Sequence, residues 1–225
     1  LGSSLILEPI IFNNIIIGKL FEELKIRNFN TSLEQIITGE KIYSFLFSPT
    51  ESFENNILEN LKIHKNNEKN ILSGKCELVF GIDNFDYILI PLYLNNNINL
   101  YLLSNAKQGY EVRNFETVDN MIVSNIEFNN CELNNDELVF STEKKAFFTK
   151  LDYIIDLAIL SVCSQSLGII DKMYELTLDY CKTRKQFGTP IGSFQVNQHK
   201  LVDMYIIKEE MRSLNYMAQL TFDSK

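Results

Sequence analysis

Tryptophan is missing from this 225-residue chain, histidine occurs twice, arginine four times and cysteine four times. Each scarcity excludes something. The histidines, His64 and His199, stand far apart, and Cys76, Cys131, Cys163 and Cys181 form no Cys-x-x-Cys pair. Neither a zinc site nor a disulfide framework follows, and reduced thiols in a bacterial cytoplasm or a mitochondrial matrix are expected. A formal charge of −8 with so few arginines argues against holding a phosphate backbone, so no nucleic-acid partner is expected. No uninterrupted apolar run is long enough to span a bilayer, and the apolar start from Leu1 to Ile17 is broken by Glu8, Pro9, Asn13 and Asn14. A soluble protein without a membrane span is expected. The acidity is uneven: residues 1–150 carry 13 Lys and Arg against 20 Asp and Glu, whereas residues 151–225 carry 8 against 9. An anionic cofactor is better tolerated in that second part.

What is present falls into three regions. Ile10, Ile11, Ile15, Ile16, Leu20, Phe21 and Leu24 recur at helical spacing, and Ser32 with Gln35 suits the start of a short helix ending near Gly39. From Lys41 the pattern changes to short apolar runs bounded by Asn, Gly and Asp: 42–47, 57–63, 77–80, 87–94, 98–103, 109–115 and 121–128. Regular spacing with turn residues between them predicts an antiparallel β unit. Residues 50–56 and 65–70 are expected to be exposed loops. Near Glu143 the period turns helical again. Ile154, Ile155, Ala158, Val162, Ile169, Ile170, Met173, Leu176 and Leu178 predict a long, heavily buried helix. The expected organisation is therefore α+β and multidomain, with a helical end at 1–40, a β unit at 41–142 and a helical part at 143–225.

The long helix should end among cations. Lys182, Arg184 and Lys185 sit where freed carbonyls and the negative end of the helix dipole favour positive charge. Gly188, Pro190 and Gly192 stop it, and Gln195 opens a second run through Leu201, Met204, Tyr205, Met211, Leu214 and Met217. A helical hairpin with a bend is the result.

The run Tyr180-Cys-Lys-Thr-Arg-Lys-Gln-Phe-Gly-Thr-Pro-Ile, continued by Phe194-Gln195, Gln198-His199 and Asp203-Met204, resembles the acyl-CoA dehydrogenase family. These flavoproteins desaturate acyl-CoA thioesters, and the chain looks closest to small subunits of the heteromeric bacterial branch, of the pimeloyl-CoA dehydrogenase type. The resemblance implies a helical N-terminal remnant, an antiparallel β-barrel-like middle domain and an incomplete C-terminal helical bundle, in a protein with further helices before and after. It also implies that Arg184, Gln186, Phe187, Phe194 and Gln195 contact FAD held mainly by a neighbouring subunit. The plainer reading of Arg184 is that it caps its helix and pairs with an acid.

The other half of the implied flavin site departs from the family. Where catalytic members have Thr-Glu-Pro-Gly-x-Gly-Ser, this chain reads Phe47-Ser48-Pro49-Thr50-Glu51-Ser52-Phe53, without the glycines that let backbone approach a phosphate. Leu78-Val79-Phe80 stands in place of a Trp-Ile-Thr segment. Ala158 occupies the place where some members carry the catalytic glutamate, and Ile159 that of an arginine that helps hold CoA. Asp156 matches a position that in some members touches CoA, which makes it the candidate substrate contact. Two residues along a helix point about 200° apart, so Asp156 is not expected to replace the missing base, and no catalytic residue or metal ligand is assigned. His199 reads as a packed helix residue.

The resemblance thus implies a subunit, with a degenerate site of its own, of a hetero-oligomeric FAD enzyme that α,β-dehydrogenates acyl-CoA. Its partners would be acyl-CoA, a second acyl-CoA dehydrogenase-like subunit and an electron-transfer flavoprotein. Two alternatives stay open: a self-sufficient homo-oligomeric dehydrogenase whose missing residues lie beyond residue 225, and a flavin-free scaffold subunit.

Overall fold

The computed structural model describes residues 1–6, 9–27, 29–46, 60–66 and 69–223. The chain divides into two units, Leu7–Ala158 and Leu1–Ile6 with Ile159–Lys225.

In the first unit a π-helical turn at Ile11–Ile16 runs into α1, Ile17–Leu24, which is followed by α2, Phe29–Thr38. Ile16, Ile17, Leu20, Phe21 and Leu24 are buried, as the helical spacing predicts. Lys25 ends α1 in the left-handed conformation, with its N–H turned back to the carbonyls of Glu22 and Phe21.

Eight strands follow: β1 Tyr43–Phe45, β2 Leu61–Asn66, β3 Lys69–Phe80, β4 Tyr87–Leu94, β5 Asn97–Ser104, β6 Tyr110–Glu116, β7 Ile122–Leu133 and β8 Leu138–Glu143. They form two four-stranded sheets, ordered β1-β4-β5-β8 and β2-β3-β7-β6. Among the described residues all pairings of these strands are antiparallel except β1 with β4, which is parallel. No hairpin joins that pair. Instead β1 is latched through Asp86, which accepts the Ile42 N–H at 2.9 Å and the Lys41 ammonium at 3.0 Å.

The middle strands explain why this region reads as apolar runs and not as clean alternation. Ile88, Ile90 and Leu92 of β4, with Tyr101 and Leu103 of β5, belong to a core shared with Leu72, Val79, Ile126 and Phe128 of the second sheet. On the opposite face Leu89, Ile98 and Leu100 join Phe21 and Ile17 of the helices. A strand covered on both faces has apolar side chains at every position.

Helix α3, Lys144–Thr183, begins directly after β8 and runs for 40 residues. Phe147, Leu151, Ile154 and Ala158 form a stripe at three- and four-residue steps that completes the helical core of the first unit.

In the second unit the rest of α3 is followed by β9 Lys185–Gln186, β10 Thr189–Pro190, a 3-10 turn at Ile191–Ser193 and α4, Gln195–Asp223. Close backbone approach holds Leu1–Ile6 against α3, since a Cβ on Gly2 would lie 1.9 Å from the Gln165 carbonyl oxygen. The expectation that α3 is heavily buried holds only for its first part. Val162, Met173, Leu176 and Tyr180 are exposed, as are Val202, Tyr205, Leu214 and Met217 of α4. Two helices alone have apolar residues on more faces than they can cover for each other. By length and composition α3 also meets the requirement for crossing a membrane, yet its first part is committed to a protein core.

Candidate functional site

The bend between α3 and α4 is a tight clip. Phe187 and Gly188 both have positive φ, 50° and 82°, between the paired strands β9 and β10. Two positive-φ residues in a two-residue loop are the mark of a type I′ hairpin, in which Gly188 is at ease and Phe187 is not. Beyond it Ile191 donates its N–H to the Arg184 carbonyl at 2.8 Å. That bond removes one of the unpaired carbonyls at the end of α3. The Ile191 carbonyl in turn accepts the side-chain amide of Asn197 at 2.8 Å. Gly192 lets the turn press on the helix end, because a Cβ there would lie 3.0 Å from the Cys181 carbonyl oxygen.

Arg184, Gln186, Phe187, Phe194 and Gln195 therefore lie within one short clip and are all exposed. Phe187 is 94 % exposed, and its ring meets that of Phe194 edge to face at 6.3 Å. Arg184 caps nothing with its side chain and pairs with no acid among the described residues. A free guanidinium, two side-chain amides and an aromatic pair form a donor set that fits an anionic dinucleotide: the guanidinium for a phosphate and the rings for a planar base. Sequence reasoning passes over Asn197; the available signal is an amide in the first turn of a helix that follows a Gly-Thr-Pro-Ile-Gly break.

The strand that matches the other flavin contact does not fit that role. Leu78 has φ 53° at a register shift between Cys76 and Val79, and its N–H is already given to the Asn125 Oδ1 at 3.0 Å. Val79 is fully buried, and Phe80 stacks on Phe12 with ring centroids 5.0 Å apart. The Leu78 N–H and one face of the Phe80 ring are thus already taken by protein partners. The run Phe47–Phe53 lies outside the described residues.

Asp156 belongs to the other unit and is not part of the clip. It is exposed, whereas Ala158 is buried in the core with Leu151 and Ile154. The two positions face different surroundings, as the helical angle predicts.

Residues 155–225 match the family model described as the C-terminal domain of acyl-CoA dehydrogenases. That stretch, about a third of the chain, is similar to the acyl-CoA dehydrogenase family. Among curated relatives, acyl-CoA dehydrogenase IpdE2 of Mycobacterium tuberculosis is 40 % identical over 53 residues, which is 24 % of this chain and 17 % of that protein. Butyryl-CoA dehydrogenase of Megasphaera elsdenii superposes with a TM-score of 0.79 at 20 % identity, over 96 % of this chain and 58 % of that one. The ChsE4–ChsE5 complex of Mycobacterium tuberculosis gives a TM-score of 0.76 at 19 % identity, over 99 % of this chain and 58 % of that one. The acyl-CoA dehydrogenase fold is thus shared along nearly the whole chain, and this chain spans a little over half the length of those structures. The exposed helix α3 is part of that fold and reads as one of its bundle helices, not as a membrane span.

Proposed function

We propose that this chain is a subunit of a hetero-oligomeric, FAD-dependent acyl-CoA dehydrogenase of the small-subunit bacterial type, with no complete flavin site of its own. In it Arg184, Gln186, Phe187, Phe194 and Gln195 reach across a subunit boundary to a dinucleotide held chiefly by a second acyl-CoA dehydrogenase-like subunit. The observation that carries this reading is the contrast within one chain. The clip leaves its guanidinium and aromatic pair exposed, while Leu78 and Phe80 spend on protein partners what a flavin would need.

When bound, FAD would supply the hydride acceptor for α,β-dehydrogenation of a CoA thioester. Arg184 would neutralise pyrophosphate charge, the amides of Gln186 and Gln195 would fix its register, and Phe187 with Phe194 would cover the nucleotide from water. The base that takes the α-proton would come from elsewhere in the assembly, since Ala158 has no acid to offer and Asp156 is left to touch CoA. Electrons would pass to an electron-transfer flavoprotein. The middle domain is taken as 41–142 and the bundle as starting at 143. Curated relatives in bacteria and in mitochondria support a bacterial cytoplasm or a mitochondrial matrix.

A second reading, a self-sufficient homo-oligomer, is supported by the chain spanning 58 % of butyryl-CoA dehydrogenase, which leaves room for a base further on. Absorbance spectra separate the two. The chain purified alone should be colourless and inert toward acyl-CoA, and flavin absorbance that bleaches with acyl-CoA should appear only with the partner subunit. One bleachable FAD per chain in the absence of a partner would overturn the first reading.

A further inference from the structure

Ile191 is the hinge pin of the clip: its N–H is held by Arg184 at 2.8 Å and its carbonyl by the Asn197 side chain at 2.8 Å. Arg184 is the first residue after α3 and Asn197 lies in the first turn of α4, so one residue ties the two helix ends through two consecutive bonds. The Asn197 backbone is fixed as well, its N–H donating to the Phe194 carbonyl at 3.0 Å. Its amide is partly buried and has no rival partner among the described residues. Without the amide, the Ile191 carbonyl keeps only the longer bond from the Phe194 N–H at 3.3 Å, and the β9–β10 hairpin is tied more loosely to that helix. The guanidinium of Arg184 leaves from one end of this tie and Gln195 from the other. Their separation is what a rigid pyrophosphate would read.

We infer that Asn197 is a positioning residue for the dinucleotide, acting through Ile191 on Arg184; this rests on the proposed function above. Its role is electrostatic and directional, since an amide donor at that position meets a carbonyl, whereas a carboxylate of the same shape meets it with repulsion. Other clip residues act on their own neighbours: Ser193 bonds Pro190 and Thr189 within the turn and does not bridge to α4.

The test is a double-mutant cycle on the purified oligomer containing the full chain, stripped of flavin and titrated with FAD by fluorescence quenching. Arg184→Ala should weaken FAD clearly. Asn197→Asp should weaken it roughly fivefold, the size expected for one lost side-chain hydrogen bond. The double variant should bind no worse than Arg184→Ala alone, because a residue that works through another adds nothing once that one is gone. A merely structural role would give additive losses. Amide exchange supplies the second reading: in Asn197→Asp the Ile191 N–H should exchange about fivefold faster, with the middle of α4 unchanged. If Arg184→Ala weakens FAD but Asn197→Asp does not, or the losses add, the positioning role is wrong and the proposed function stands. If Ile191 exchange is unchanged in Asn197→Asp, the tie itself is wrong. If Arg184→Ala leaves FAD affinity untouched, the shared-dinucleotide reading falls and the positioning role falls with it.

Discussion

Asp171 of α3 receives the Arg212 guanidinium of α4 at 2.6 Å, and this contact anchors a cluster that sets the register of the two long helices. Lys208, one turn before Arg212, lies 4.8 Å from the Tyr174 ring centroid and 5.0 Å from that of Tyr205, with Asp171 at 3.8 Å and Glu209 at 3.3 Å. Towards the far end of the pair Ser164 accepts the Asn215 amide at 3.1 Å. Apolar faces slide easily. Two polar clusters at separate levels do not.

The Lys208 side chain is only 12 % exposed, so its contacts with both rings are shielded from water. Replacing it with glutamine keeps much of the stem but removes the cation, and should cost about 1 kcal/mol of unfolding free energy. Asp171→Asn should cost less, because the Asp171–Arg212 pair is more open to solvent. Denaturant melts of the two variants check the order. Equal costs would mean that the ion pair, and not the aromatic sandwich, sets the register.

Asp86 links acid stability to the parallel strand. The Ile42 N–H, and then the Lys41 ammonium, hold its carboxyl below the ordinary carboxylate range. A group with a lowered folded pKa stabilises the fold above its unfolded pKa of about 3.9 and loses that contribution as pH falls through the folded value. Stability should therefore fall below about pH 4 more steeply in the wild type than in Asp86→Asn. The two melting curves should converge at the acid end, and parallel curves from pH 6 to pH 3 would remove the latch from the account.

The thiols should separate by burial. Cys163 is exposed, while Cys76, Cys131 and Cys181 are buried, and burial pushes Cys76 up to about 12 and Cys131 upward. A disulfide reagent at neutral pH should label Cys163 in the folded chain and reach the other three only in denaturant. Fast labelling of Cys76 would mean that the core between the sheets opens readily.

Much of this was legible in the sequence because periodicity reports local geometry. The α3 span was given by apolar steps through Ile154 and Ala158, and the clip by Gly188, Pro190 and Gly192. What escaped depends on partners far along the chain. Leu89 and Ile90 read alike as apolar, yet they face different cores. The start of β1 is held beside β4 through Asp86, more than forty residues away from Lys41 and Ile42. The exposure of Met173 and Leu176 could not be read either, since amphipathic spacing says which face is apolar and not what covers it. Within the site, the motif pointed to Arg184 and its neighbours, but only coordinates show that the Leu78 N–H is taken by Asn125.

Phe187 places function and stability in opposition. A phenylalanine at φ 50° carries a strain of about 1 kcal/mol that asparagine or glycine would relieve. Phe187→Asn should thus raise the melting temperature slightly while weakening FAD retention by the assembled oligomer. A variant that gains stability with full flavin retention would show that the ring is not part of the dinucleotide surface.

Ala158 tests whether chemistry could be restored by one carboxylate. Its methyl group is packed among Leu151, Ile154 and the α1 core, only 7 % exposed. Ala158→Glu would have to bury a charge without a partner, overfill the site or protonate, at a cost of roughly 3 kcal/mol or more. The expected outcome is a destabilised chain with no gain in acyl-CoA oxidation, measured by thermal melting and by dye reduction in the assembled enzyme. Should the variant instead fold normally and oxidise acyl-CoA, Ala158 would have to face a substrate cavity. Among the described residues Ala158 is buried in one core cluster with Leu151 and Ile154, which is why substitution at this position alone is expected to supply no base.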